Sequence, residues 1–527
     1  MRHSRLVSVA LAGSLLAALM MVGHSVAGAA PGWVSAQLTF DANAHTAPAV
    51  SGNRAVWVGY DGAHNQIFTQ KIGVDPSPVQ LTTDAHAHSA PQVSGDRLVW
   101  YGFDGPNLQI FTQKIGVDAS PVQLTTDAND HSAPQVSGDR VVWYGFDGAF
   151  ELVFTQKIGV DASPVQLTFD PQTNFAPRVS GDRVVWLGSN GANNQVFTQK
   201  IGVDASAVQL TTDANDHSAP HVSGDRVVWE GYDGAHVQIF TQNVGVNASP
   251  VQLTTDAHDH NTPQVSGNRV VWFSYDGAHN QIFTQKIGVD ASAVQLTTDA
   301  HDHNTPPQVS GDRVVWQCSD GTHYQIFTEN VGADAAPVQL TFDAHDHYVP
   351  QVSGNRVVWY DYEAPHTQIF TQNVGVDASP VQLTTDANNH GDQQVSGNRV
   401  VWYGSDGTHT QIFSANTGPV AIRLSKSPTG TSYTIKRHNG SVSFTYSATL
   451  QTSGGVGIPG ETILLQKSAD GVHFTTVRGA SFVANANGTV TVPLVFKTTG
   501  TGIWRWLFAG DSQYLATSTS KTKITVH

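Results

Sequence analysis

The sequence predicts an all-β protein, a β-propeller of about nine four-stranded blades followed by a smaller β-sandwich. The pattern V-S-G-[DN]-R-x-V-W recurs nine times at a spacing of 43 residues, except for one step lengthened by Pro306-Pro307. Each repeat contains four short runs rich in Val, Ile, Phe and Trp, separated by Gly, Asn and Asp turns. No helical period of apolar residues runs through it. These features are typical of propeller blades.

One repeat, residues 262–304, shows the predicted strands in order. Its strands are Pro263–Ser266, Arg269–Tyr275, Gln281–Ile287 and Ala293–Thr297. Turns containing Gly or Asp separate them. A single sheet of this kind cannot bury both of its faces, so neighbouring repeats must pack against each other.

The two ends of the repeat array predict a closed ring. The chain enters at an isolated fourth strand, Ala36–Phe40, and the last repeat ends after its third strand, Thr410–Phe413. The N-terminal strand therefore completes the last blade and removes an exposed edge. Because propellers usually have four to eight blades, an eight-bladed ring with a spare unit and a slightly open ring are alternatives. Residues 419–424 offer another final fourth strand, but we assign them to the next domain.

Two resemblances divide the chain into domains. The pattern L-T-[TF]-D…P-x-V-S-G-[DN]-R-x-V-W…D-G-x-x-x-Q-I-F over residues 33–415 resembles the TolB-type, WD40-like (PD40-type) repeat. This resemblance implies a propeller but no particular partner, because such repeats serve many functions. In residues 420–527, G-x-P-G-E-T-I-L-L-Q-K and W-R-W-x-F-A-G-D-S-x-Y resemble bacterial immunoglobulin-like modules. That resemblance implies a β-sandwich acting as a spacer or adhesive unit.

The first 29 residues have the features of a secretory signal peptide. Arg2 and Arg5 precede the apolar run Leu6–Val22, and Ala27-Gly28-Ala29 forms a cleavage site. We therefore expect a secreted or cell-surface protein, with no transmembrane segment after cleavage. Cys318 is the only cysteine, so no intrachain disulfide forms. We interpret it as a chance substitution in one copy of the repeat and not as a nucleophile. We expect a monomer.

Charge divides unevenly along the chain. Residues 31–415 contain 15 Lys and Arg against 39 Asp and Glu, whereas residues 416–527 contain 10 against 3. The large acidic domain repels polyanions, which excludes nucleic acid as its partner.

Histidines concentrate on one predicted face. In a blade, the second-to-third and fourth-to-first connections emerge on the same side, here called the upper face. The fourth-to-first connections supply the predicted ligand-binding residues His45, His88, His131, His217, His260, His303, His347 and His390. The second-to-third connections add His64, His236, His279, His323, His366 and His409.

A divalent metal is an open possibility on this face, although no cofactor is required. Its candidate ligands are the adjacent pairs Asp259-His260, Asp302-His303 and Asp346-His347, which would suit Zn²⁺ or Ni²⁺. The structural alternative is that Asp caps a turn and His covers the next strand in every copy.

The regularity of the repeats predicts that the protein is not an enzyme. Catalysis needs different residues converging on one centre, whereas these blades are nearly identical. We therefore expect a non-catalytic binding or adhesion protein whose upper face binds an extracellular glycan, a metal or a surface protein. The alternatives are an extracellular hydrolase or lyase of polysaccharides and a structural envelope protein. Asp361 with Glu363 is the one place that suggests a paired-carboxylate site.

Overall fold

The structure, a computed structural model, describes residues 33–169, 171–189, 191–303, 305–417, 423–437, 440–451, 458, 460–485, 487–510 and 516–527. The signal peptide predicted for residues 1–29 lies outside them. Within these ranges the regular structure is entirely β, which confirms the predicted fold class. A search of the same ranges finds no membrane-spanning helix.

Nine antiparallel four-stranded sheets, here numbered blades 1–9, follow one another through the described part of residues 33–417. The first strands are His45–Ser51, His88–Ser94, His131–Ser137, Asn174–Ser180, His217–Ser223, His260–Ser266, Gln308–Ser310, Asp346–Ser353 and His390–Ser396. The second strands are Arg54–Tyr60, Arg97–Asp104, Arg140–Phe146, Arg183–Ser189, Arg226–Tyr232, Arg269–Tyr275, Arg313–Ser319, Arg356–Glu363 and Arg399–Ser405. The third strands are Asn65–Lys71, Asn107–Lys114, Glu151–Lys157, Asn194–Lys200, Val237–Asn243, Asn280–Lys286, Tyr324–Asn330, His366–Asn373 and Thr410–Thr417. The fourth strands are Val79–Gln80, Val122–Gln123, Val165–Gln166, Val208–Gln209, Val251–Gln252, Val294–Gln295, Val338–Gln339, Val381–Gln382 and, for blade 9, Trp33–Gln37.

The ring is closed by the N-terminal strand, as predicted. Trp33–Gln37 pairs antiparallel with the third strand of blade 9, and Trp33 lies opposite Thr417. Blade 9 also contacts blade 1 directly, because the Gly52 amide donates to Ser396 Oγ at 2.8 Å. The same serine-to-amide bond joins successive blades elsewhere in the ring. Nine blades therefore close, and the eight-bladed and open alternatives are wrong.

Each central strand is apolar on both faces because it is covered by a blade on each side. In blade 6, Val270, Val271 and Trp272 are fully buried, and Trp272 stacks on Phe283 of the third strand at 6.2 Å. Trp272 also belongs to one apolar cluster with Val228 and Ile239 of blade 5. The repeated Trp therefore forms the core between blades. Truncating such a side chain to alanine costs about 3–5 kcal/mol.

On the face opposite the upper face, here called the lower face, each repeated Arg contacts the next blade. Arg97 is buried and bonds Asp118 of its own blade at 2.8 Å and Asp139 of blade 3 at 3.1 Å. Burial opposes ionisation of Asp139, but hydrogen bonds from Lys114 and Arg97 outweigh it and hold the pKa of Asp139 below its usual value. In blade 2 the repeated Arg therefore joins neighbouring blades through ion pairs.

Blade 7 departs from the repeat at its first strand. In the other eight blades this strand contains a residue in the left-handed region, such as Thr262 at φ 53°, and in these blades the register shifts there. The extra proline of blade 7 shortens its strand to Gln308–Ser310, which makes three pairs with the second strand. The residue at the start of the usual strand, His303, therefore lies outside the ladder.

The C-terminal region forms a β-sandwich, described here by itself. One sheet contains Arg423–Ser427, Val442–Gln451 and Thr489–Phe496. The other contains Ser432–Ile435, Thr462–Ser468, Thr475–Val483, Gly500–Phe508, Thr517–Ser518 and Thr522–Val526. The sheets share a core that includes Tyr446, Ile463 and Trp506. Membership of the immunoglobulin-like class stays a prediction.

Candidate functional site

The eight predicted ligand histidines lie inside the upper part of the ring. Each is no more than 2% exposed. In all eight blades the Nε2 atom lies 2.9–3.3 Å from the aspartate four residues earlier. In six of them the Nδ1 atom accepts a hydrogen bond from the repeated Trp. Blade 4 has Asn174 at this position. Ligand binding by these rings stays a prediction, and their burial favours the structural role.

The adjacent pairs predicted as metal ligands do not form a common site in the described residues. The carboxylates of Asp259, Asp302 and Asp346 each accept a backbone N–H at 2.8 Å from the start of the preceding blade's third strand. The neighbouring histidines instead face the aspartates Asp256, Asp299 and Asp343. Successive residues of an extended segment point to opposite sides, which separates each pair.

In most blades the residue next to the buried histidine is a glycine, because there is no space for a larger side chain. A Cβ atom added at Gly102 would lie 2.0 Å from Nδ1 of His88. Glycines 59, 145, 188, 231 and 404 are similarly close to a histidine or, in blade 4, to Asn174. Three consecutive blades carry a buried polar side chain here instead, namely Ser274, Cys318 and Asp361. The ring of blades is therefore asymmetric at the position next to the buried histidine.

In blade 8 this substitution creates a group of three ionisable side chains. Asp361 Oδ2 lies 3.2 Å from Nδ1 of His345, and Asp361 is 1% exposed. Its Oδ1 atom is buried without a hydrogen-bond partner in the described residues. Burial raises the pKa of the Asp361 carboxyl, although His347 and His345 oppose this. Donor atoms of His345, Asp361 and Glu363 lie within 4.8 Å of one another, so this group can transfer protons or hold a divalent cation.

Tyrosines lie on the other face of the same strand, because Tyr360 and Tyr362 alternate with Asp361 and Glu363 along it. Tyr348 lies between Tyr324 and Tyr360, with ring centroids 5.4 and 5.6 Å away. Burial and the nearby Asp346 raise the pKa of Tyr348 to about 12, so it is a neutral phenol at pH 7. Tyr362, between Asp361 and Glu363 on the same strand, is 46% exposed. A cavity of about 230 Å³ begins at Glu363 and is lined further by His366, Gln368, Gln382 and Asp386.

Blade 7 carries a related group, in which His301 has the position of His345, Cys318 that of Asp361, and Asp299 that of Asp343. Donor atoms of Asp299, His301 and Cys318 lie within 4.8 Å of one another. His303 Nε2 is 3.4 Å from Cys318 Sγ. Burial raises the pKa of the Cys318 thiol to about 12, assisted by Asp299. Without a cation this cysteine is not a nucleophile, because the thiolate is the reactive form.

The sequence was informative about part of this arrangement. Asp361 with Glu363 was singled out as a carboxylate pair, but His345 and Tyr348 were not connected with it. The missed signal is the alignment of the nine copies. At the His345 position blades 1, 3, 5 and 9 have asparagine, and at the Asp361 position most blades have glycine.

Comparisons with known proteins show the fold. No family model matches the sequence, and no curated protein sequence matches it. Porphyromonas gingivalis dipeptidyl peptidase 4 is similar in structure with a TM-score of 0.50 and 10% identity, over 69% of this chain and 65% of that one. A prolyl endopeptidase structure has a TM-score of 0.40 and 12% identity, over 61% and 55%. The β-propeller domain of the Trilobed protease from Pyrococcus furiosus has 0.36 and 9%, over 65% and 96%.

These structures correct the functional expectation. The chain spans between about half and two thirds of the length of the first two. At this identity the likeness shows the propeller fold alone. The prediction of a non-catalytic binding or adhesion protein is nevertheless contradicted by this comparison, because the neighbour with a TM-score of 0.50 is a peptidase, and peptidases are hydrolases. The prediction that the chain is not an enzyme has no support from them, and the TolB-type relationship stays a prediction.

Proposed function

We propose that this chain is a secreted hydrolase of polysaccharides with its active centre in blade 8. The observation that carries the proposal is the buried carboxylate of Asp361 behind the half-exposed ring of His345. Only blade 8 has an ionisable carboxyl at this position of the repeat. The asymmetry that catalysis requires is therefore present. Secretion rests on the predicted signal peptide, and the fold shared with peptidases supports a hydrolytic role.

The chemistry follows from the hydrogen bond between the two side chains. A buried carboxylate that accepts a hydrogen bond from an imidazole orients the ring and stabilises its protonated form. His345 then donates a proton to the leaving oxygen of a glycosidic bond and takes one from the attacking water. Glu363 supplies the second carboxylate, which stabilises positive charge on the sugar or attacks it directly.

The surroundings favour a sugar over a peptide. On the other face of the same blade, an exposed Tyr362 ring and the Tyr324–Tyr348–Tyr360 cluster offer flat apolar surfaces with polar edges, which suit the faces of sugar rings. The adjoining cavity of about 230 Å³ is smaller than the ~300–1,000 Å³ typical of drug-sized ligands. It therefore suits one unit of a longer chain that lies across the upper face.

The test compares two matched variants in a reducing-end assay over a panel of polysaccharides, with peptides as a second panel. His345→Asn changes the proposed proton-transfer residue to the asparagine that four other blades carry, so the fold tolerates it. His258→Asn makes the same change in blade 6, beside Ser274. We expect His345→Asn to lower the rate by about 10²–10⁴-fold and His258→Asn to leave it unchanged. Equal activity of both variants contradicts the assignment of the centre. Cleavage of peptides alone contradicts the substrate class.

A further inference from the structure

We propose a zinc site in blade 7, independent of the proposed hydrolase centre, formed by four side chains: Asp299, His301, His303 and Cys318. Three contacts already connect their donor atoms. His301 Nδ1 lies 3.4 Å from Asp299 Oδ1, and the same oxygen lies 3.3 Å from His303 Nε2. His303 Nε2 lies 3.4 Å from Cys318 Sγ, and the thiol is 2% exposed.

Three of the six separations between these four donor atoms are close to the edges of a tetrahedral zinc site. Zinc binds nitrogen and oxygen at about 2.0–2.1 Å and sulfur at about 2.3 Å. Tetrahedral angles then place neighbouring nitrogen and oxygen ligands about 3.3 Å apart, and nitrogen and sulfur about 3.6 Å apart. The three observed contacts match these edges to about 0.2 Å. Donor atoms of Asp299, His301 and Cys318 lie within 4.8 Å of one another, and His303 joins this group through Asp299 and Cys318. A ligand set with imidazole and thiolate selects zinc and related soft metals over Mg²⁺ or Ca²⁺.

The histidine of blade 7 is also free to take the required tautomer. In blade 8, Trp359 donates to His347 Nδ1, which keeps the proton on Nε2. In blade 7, Trp316 Nε1 and His303 Nδ1 have no partner among the described residues, so the proton can move to Nδ1 and leave Nε2 for a metal. Blade 5 also lacks the hydrogen bond from Trp to His, but the residue at the position of Cys318 is Gly231, which has no side chain to bind a metal.

The local backbone explains why a metal is useful in this blade. In blade 8 the ladder pairs His347 with Asp361 across the two strands. The insertion Pro306-Pro307 removes the corresponding pairing in blade 7, where the ladder begins at Gln308. A zinc ion bound by His303 and Cys318 would restore that connection between the entering loop and the second strand. Binding of the folded form alone would then add to stability.

The experiment uses the full chain, with zinc content measured after dialysis and Co²⁺ used as a spectroscopic probe. We expect Cys318→Gly, which restores the glycine of the repeat, to lose one equivalent of zinc per chain. We also expect it to lose the thiolate-to-Co²⁺ charge-transfer band. His301→Asn should weaken binding by about 10- to 100-fold or more, and the matched variant His258→Asn in blade 6 should have no effect.

Two results would overturn the proposal. One is the absence of a thiolate band in the Co²⁺-loaded wild-type chain. The other is a zinc content that is the same in Cys318→Gly and the wild type. Metal bound at His345, Asp361 and Glu363 is distinguished because Asp361→Asn removes it without removing the thiolate band. Hydrolysis is read separately, so loss of either proposal leaves the other intact.

Discussion

Replacing Gly102 with alanine tests how tightly the interior of a blade is specified. The added Cβ would lie 2.0 Å from His88 Nδ1 and 2.6 Å from its Cε1. The ring has no room to shift, because it is fully buried and packs edge-on against Phe111 at 5.2 Å. It must leave its position, as overpacked side chains do in a dense core.

The expected cost follows from the two hydrogen bonds that the ring would lose. Trp100 Nε1 donates to His88 Nδ1 at 3.2 Å, and this buried bond contributes about 1 kcal/mol. His88 Nε2 lies 3.1 Å from Asp84, which is half exposed, so that contact contributes about 1–2 kcal/mol. We therefore expect Gly102→Ala to lower the free energy of unfolding by about 2–3 kcal/mol.

Hydrogen exchange in blade 2 and urea unfolding followed by tryptophan fluorescence measure this loss. A cost of that size speeds exchange of the protected amides near Trp100 by about 30- to 160-fold. Gly391→Ala is the control, because its Cβ would meet nothing closer than Tyr403 Oη at 3.4 Å. If both variants unfold at the same urea concentration, the steric reasoning is wrong.

Three further predictions concern the blade contacts, the buried carboxyl and the ring closure. Arg97→Ala breaks the contacts to Asp118 and Asp139 and should lower the free energy of unfolding in urea by about 3 kcal/mol. This value is near the low end for breaking a buried ion pair, because Asp139 is partly exposed. Arg226→Ala should cost less, because Arg226 meets the neutral Asn268 in the next blade, and an equal loss would contradict this. Asp361→Asn should raise the melting temperature at pH 7, because a carboxyl whose pKa is raised by burial destabilises the folded protein as pH rises. This gain in melting temperature should vanish below about pH 4, where the carboxyl is protonated in both the folded and the unfolded protein. A gain that persists in acid would refute this explanation. Deleting residues 33–40 removes the strand that closes blade 9 and exposes the edge of Thr410–Thr417, so light scattering should detect association that the full chain does not show.

The repeat determined the architecture because its signals are local. Gly267-Asn268 specifies a turn, and the run Val270-Val271-Trp272 specifies a strand covered on both faces, wherever the copy lies in the chain. The isolated strand predicted at Ala36–Phe40, which the structure places at Trp33–Gln37, and the missing fourth strand of blade 9 also predicted closure, because each provides the edge that the other lacks.

Sequence reasoning about the histidines left two interpretations open, a ligand-binding face and a structural role in which each His covers the next strand. His88 and its equivalents looked like a ligand-binding face because they belong to loops. The structure places them in the core, where a glycine beneath them makes room for the ring and a Trp or Asp bonds its nitrogens. Nothing within a single copy distinguishes these two environments.

By itself the sequence determined the β class, the blade unit and the closure of the ring. Those features depend on neighbours in the chain or on identical contacts repeated between adjacent copies. Only the tertiary structure decided which departures from the repeat meet. His345 and Asp361 are 16 residues apart, and His303 and Cys318 are 15 apart. They come together because the strand that follows the loop folds back beneath it. The glycine position of the repeat, exchanged in three consecutive blades, is where this folding brings reactive side chains into contact.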